Sequence, residues 1–173
     1  MLRVRNDPQE ENVMGYPYRS ILNPIQFDDP TYLALGYAKR LAAESGATLH
    51  LLHVVEKFPA LGEPPISEND NIREEDEARK TLNDVARQYL GEVKYQIHVA
   101  AAAPRSLAKA VVQIAEQVDA DLIVMKTHGR KGLAHLIVGS VAEEVVRSAP
   151  CPVLTFTSAA QLKADHLKLD SAG

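Results

Sequence analysis

The sequence predicts one α/β domain, an open five-stranded parallel sheet with helices on both faces, and three observations lead there. Short apolar runs alternate along the chain with longer segments whose apolar residues recur at helical spacing. Two of the runs, residues 47–55 (ATLHLLHVV) and 121–127 (DLIVMKT), carry apolar residues on both faces, as a parallel strand does when helices cover it from two sides. The order is strand, helix, strand, helix, strand, helix, strand, helix, strand, the pattern of right-handed crossovers in one sheet.

The elements follow in sequence. Residues 1–15 are polar without a sustained apolar period and read as a flexible arm, ahead of a domain at 16–157 and a tail at 158–173. The run YRSILNPI, residues 18–25, is short and apolar at its centre, and reads as the first strand. Asp28 or Asp29 is the expected cap of the next helix, with Pro30 in its first turn and Leu33, Leu35, Ala38, Leu41 and Ala42 on its inner face. Gly46 ends it, and residues 47–55 form the second strand. Residues 56–71 hold three prolines and several acids and read as a surface loop. Residues 72–90 form a charged helix with Ala78, Leu82, Val85, Ala86 and Leu90 turned inward, stopped by Gly91. The acidic stretch at 68–77 is its solvated start. Residues 93–101 alternate as a strand, Pro104 opens a helix through Val118, and 121–127 is the fourth strand. A helix at 139–148 precedes Pro150 and Pro152, which lead into a last strand at 153–157.

Composition narrows the function. At 173 residues the chain fits one domain with a real core. Hydrophobic residues at 46% and charged ones at 24% match a soluble globular protein, and neither disorder nor a membrane role is expected. A net charge of -4 argues against nucleic acid as a partner, because phosphate backbones are met by clustered basic surface. No apolar run approaches a membrane span, and the start MLRVRNDPQEENV lacks the apolar stretch of a signal peptide. The single cysteine, Cys151, excludes an internal disulfide framework and a cysteine-rich zinc site. A cytoplasmic location is expected.

In doubly wound sheets, ligands bind beyond the carboxyl ends of the strands where strand order reverses, which directs attention to the loops after the first and fourth strands. Residues 126–140 place Gly129 and Gly132 after a strand and Gly139 with Ser140 at a helix start. Glycines let backbone amides approach a phosphate, and a helix start adds unpaired amides and a favourable dipole end. Ser140 adds a hydroxyl, and Lys126, Arg130 and Lys131 make the segment locally basic. Spacing alone fits equally well a long turn shaped by glycines and flanked by solvated cations.

The loop and its flanks resemble the universal stress protein family, whose nucleotide-binding members carry G-x2-G-x9-G-[ST]. Gly129, the nine residues 130–138, Gly139 and Ser140 match that pattern in register. The segments ILNP, LLHVVE, DLIVM and GSVAEEVVRSAPCPVL are similar to the family as well, over residues 18–157. The resemblance implies a Rossmann-like, adenine-nucleotide α-hydrolase-like fold and ATP or another adenine nucleotide as the candidate cofactor. It places Pro24, Gln26, Val54, Met125, Lys126, Gly129, Arg130, Gly139, Ser140 and Val141 around a nucleotide cleft. It also implies a homodimer through the last strand, where Val153, Leu154 and Phe156 are apolar. A helical cover of that edge by residues 159–169 is the alternative.

Two positions depart from the family pattern. Lys126 stands where nucleotide-binding members have the first glycine, and Gln26 where they have the aspartate of P-T-D. A lysine at a left-handed position costs about 1–2 kcal/mol, and its side chain either fills ligand space or meets a phosphate as a flexible cation. Replacing a carboxylate by an amide trades a charged hydrogen bond of about 1.5–3 kcal/mol for a neutral one of about 1 kcal/mol.

No catalytic residue or metal ligand set is expected. His50 and His53 lie three apart on a strand and so face opposite ways. His128 and His135 read as turn residues. Ser140 lacks a G-x-S-x-G setting, Cys151 sits between two prolines, and neither a P-loop nor a G-x-G-x-x-G after the first strand is present. The expectation is a stress-response binding and interaction module with an altered nucleotide site and no dedicated catalysis. The alternative is an ATP-binding member with slow hydrolysis.

Overall fold

The structure, a computed structural model, describes residues 18–27, 32–57, 68–127 and 140–156, and leaves out the side chains of residues 68–71 and 104. Five strands, β1 (Ser20–Pro24), β2 (Thr48–Glu56), β3 (Tyr95–Ala102), β4 (Leu122–Lys126) and β5 (Val153–Phe156), form one sheet in the order β3-β2-β1-β4-β5. Every pairing is parallel. The predicted fold class is therefore the observed one, and the chain reverses its winding between β1 and β4.

Helices α1 (Leu33–Ser45) and α2 (Glu68–Tyr89) cover one face, and α3 (Leu107–Gln117) and α4 (Ser140–Ser148) cover the other. Period-two alternation divides the strands between these layers. Ile21, Leu49, Leu51, Leu122 and Val124 pack under α1 and α2, while Leu22, Leu52, Ile123 and Met125 pack under α3 and α4. Alanines at 34, 38 and 42 let α1 lie close to the strands, and Leu82, Val85, Ala86 and Leu90 form the apolar stripe of α2.

Two boundaries differ from expectation. The residue before α1 is Tyr32, in a left-handed conformation at φ 43°, without a side-chain cap. The expected caps, Asp28 and Asp29, and Pro30 lie outside the described residues. The Tyr32 ring centroid lies 5.1 Å from that of Tyr89, with the planes tilted. The segment opened by Pro104 begins as a single 3-10 turn, Pro104–Ser106, before becoming α-helical. The second helix begins at Glu68, so the acidic stretch is its start as expected.

Asp121 fixes the opposite end of the sheet from the crevice. Its Oδ2 accepts the backbone amides of Arg19 at 2.7 Å and Ser20 at 2.9 Å. Ser20 Oγ donates to the Val118 carbonyl at 2.8 Å. The start of β1 is thus tied to the corner between α3 and β4, a long-range link that sets the register of the two central strands.

The switch-point crevice

The central strands part at their carboxyl ends. The β1–β4 register runs through Ile21↔Leu122 and Leu22↔Ile123, whereas β1 stays paired with β2 to Pro24↔Leu52 and β4 with β5 to Lys126↔Phe156. Each central strand keeps its outer neighbour and releases its inner one, which opens the crevice expected at a switch point.

The structure brings the described candidates to this mouth. Pro24 ends β1, half-buried, and Gln26 follows it, exposed. Met125 and Lys126 end β4, the first buried and the second half-buried. Val54 lies half-buried toward the end of β2, against the layer that holds Met125. Ser140 opens α4, exposed, and Val141 packs beside Ala142 and Val145. Gly129, Arg130, Gly132 and Gly139 lie outside the described residues, as do His128 and His135.

Two residues not singled out by the sequence organise the crevice. Asn23 is fully buried in β1, one step past the last β1–β4 pair, and its Nδ2 donates to the Val124 carbonyl at 2.6 Å. A side-chain amide thus replaces the backbone ladder where the strands separate. Among the described residues its Oδ1 has no hydrogen-bond partner, a costly arrangement for a buried acceptor. The available signal was one amide inside the apolar run SILNP. The second organiser is His53. Its Nδ1 donates to the Ile25 carbonyl at 2.9 Å, and its ring stacks on Phe27 with centroids 3.9 Å apart and planes 16° apart. Because a carbonyl only accepts, Nδ1 carries the proton. Burial lowers the pKa of His53, against opposing contributions from the Ile25 hydrogen bond and Glu56, so the ring is neutral at neutral pH. It anchors the chain leaving β1, where Gln26 sits between the two anchored residues.

Cys151 is half-buried, and burial together with the Asp121 charge raises its pKa, the opposite of an activated thiolate. Among the described residues no helix is long and apolar enough to cross a membrane.

Comparison with known proteins agrees with this architecture. The profile of the Universal stress protein family matches residues 17–156. A universal stress protein of Methanocaldococcus jannaschii is 34% identical over 142 residues, covering 79% of this chain and 81% of the relative. The crystal structure of a universal stress protein family member from Burkholderia pseudomallei superposes with a TM-score of 0.59 at 28% identity, over 82% of this chain and 98% of that one. The universal stress protein from Archaeoglobus fulgidus in complex with dAMP shares the fold with a TM-score of 0.56 at 21% identity, over 81% of this chain and 98% of that one. With the matched profile spanning most of its length and a relative above 30% identity, this chain belongs to the universal stress protein family.

Proposed function

We propose that the chain is a cytoplasmic, dimeric stress-response module that acts by binding, with an altered adenine-nucleotide site and no dedicated catalysis. One observation carries the reading. Gln26 and Lys126, the two departures from the family's nucleotide-binding pattern, occupy the ends of the neighbouring strands β1 and β4, at one crevice mouth. Losses on both sides of one ligand combine, and at about 1.4 kcal/mol per power of ten they remove much of a nucleotide's affinity. The cytoplasmic assignment rests on the acidic composition and single cysteine.

The proposed dimer contact is β5, an edge strand of the sheet. Leu154 is exposed on it, and Tyr37 of α1 and Val146 of α4 are exposed to either side. Tyr37 meets Phe156 with ring centroids 4.5 Å apart, extending the apolar strip along this edge. An edge strand with apolar flanks is suited to pairing with its own copy.

Retention of Val54, Met125, Gly129, Gly139, Ser140 and Val141 favours a second reading, in which ATP still binds and is hydrolysed slowly. Extraction of nucleotide from the purified chain separates the two. An empty extract and no thermal shift with ATP are expected; stoichiometric ATP would overturn the proposal, and its loss in Gly129→Val or Ser140→Ala would establish the second reading.

A further inference from the structure

Away from the crevice, two histidines 48 residues apart in sequence meet at one side of the sheet. His50 Nδ1 lies 2.9 Å from His98 Nε2, the length of an ordinary hydrogen bond between imidazoles. The β2–β3 register matches His50 with Gln96 and Leu52 with His98, so the rings are diagonal neighbours on adjacent parallel strands. His50 is buried and His98 half-buried, and β3 ends the sheet with β2 as its strand neighbour. The surroundings give added charge on the rings no relief. From α2, the Arg79 cation bears on His98 and opposes its protonation. From α3, which packs over this face, Ala108, Val111 and Ala115 turn inward, while the charged Lys109 and Glu116 are exposed. Leu22 and Leu52 are the apolar neighbours on the strands, and Lys94, just before β3, is exposed.

We propose that the His50–His98 pair is an acid-sensitive latch, which holds β3 on β2 and releases this edge strand when both rings are protonated. A hydrogen bond between two imidazole nitrogens needs one N–H and one lone pair, so the neutral pair holds a single hydrogen between the rings. A first proton leaves the bond intact. It goes to His98, the less buried ring, which then carries hydrogens on both nitrogens and donates through Nε2 to His50 Nδ1. A second proton, on His50 Nδ1, sets N–H against N–H and charge against charge, and the rings part. Burial and His98 lower the pKa of His50 to about 4, and burial and Arg79 lower that of His98. Both rings return to about 6.5 once β3 is released, so falling pH favours the released state. Release leaves the Asn23 bond and the Asp121 anchor of the central strands in place. It also turns β2 into a free edge, a template for pairing with another strand that the neutral chain covers.

The test is native-state hydrogen exchange on the full chain. Between about pH 7.5 and about pH 4.5, with intrinsic rates corrected for, amides of the β2–β3 ladder are expected to lose about 50-fold or more in protection. In low urea their exchange should be nearly independent of denaturant, the mark of a small opening, while amides of the β1–β4 ladder follow global unfolding. His98→Gln, which can keep a hydrogen bond to His50 but takes up no proton, should reduce the acid response, with its fold checked by far-ultraviolet spectrum at neutral pH. Three results would each overturn the latch: protection that does not fall with acid, a urea dependence equal to that of the β1–β4 amides, or an undiminished response in folded His98→Gln. The outcome is independent of nucleotide binding at the crevice.

Discussion

Asn23 donates its side-chain amide to the Val124 carbonyl across 2.6 Å, one residue beyond the point where β1 and β4 stop pairing. The bond holds the floor of the crevice together while the strand ends diverge. Asn23→Ala removes the donor and leaves a buried carbonyl unpaired, for an expected loss of about 1–3 kcal/mol in urea unfolding. Asn23→Asp, which sets a buried carboxylate against that carbonyl, is expected to lower stability further. A variant as stable as the parent would show that the bond contributes nothing.

At the other end of the sheet, Asp121 accepts two backbone amides of the chain entering β1. Charge-assisted bonds of this kind are stronger than neutral ones. Asp121→Ala is expected to cost about 2–3 kcal/mol and to lower the melting temperature by several degrees. Asp121→Asn, which retains one acceptor oxygen without the charge, should fall between the two, and equal melting curves for all three chains would exclude the role.

The pair formed by His50 and His98, whose Nδ1 and Nε2 lie 2.9 Å apart, makes stability depend on pH. Burial and the neighbouring His98 lower the pKa of His50 from 6.5 to about 4, and burial lowers that of His98 as well. The folded state thus favours the neutral ring, and the unfolded state takes up a proton first as pH falls. Stability is fully present above pH 6.5 and is lost progressively between 6.5 and about 4. The urea midpoint should fall over that window in the parent and less in His50→Gln; parallel curves would refute the assignment.

The crevice reading predicts a gain of function. Gln26→Asp with Lys126→Gly restores the family pattern at both strand ends and should raise affinity for ATP by about tenfold or more, at roughly 1.4 kcal/mol per power of ten, measured by calorimetry. No gain in the double variant would mean that these positions do not limit binding.

Replacement of Leu154 by arginine places a charge on the β5 edge. The expected outcome is a monomer by light scattering with an unchanged far-ultraviolet spectrum, since Leu154 is already exposed in the single chain. A variant that remains dimeric would move the interface elsewhere.

Most of the architecture was legible along the chain because helix and strand periods are local. Each apolar run predicted as a strand is one, and the inner face of the second helix carries the predicted residues Ala78, Leu82, Val85, Ala86 and Leu90. Boundaries were less legible, as at Tyr32, which precedes the first helix in a left-handed conformation with its ring beside that of Tyr89, a residue 57 positions along the chain. His53 was read as structural, but its partners, Ile25 and Phe27, come from another strand end and could not be read from spacing.

By itself the sequence determined the strand and helix order, the two-sided burial of the central strands and the family, since all of these reside in local period and motif. Only the tertiary structure decided which strands are neighbours. It set Asn23 against Val124, His53 against Ile25 and His50 against His98, because each pair joins different strands and meets through a register that no local pattern encodes.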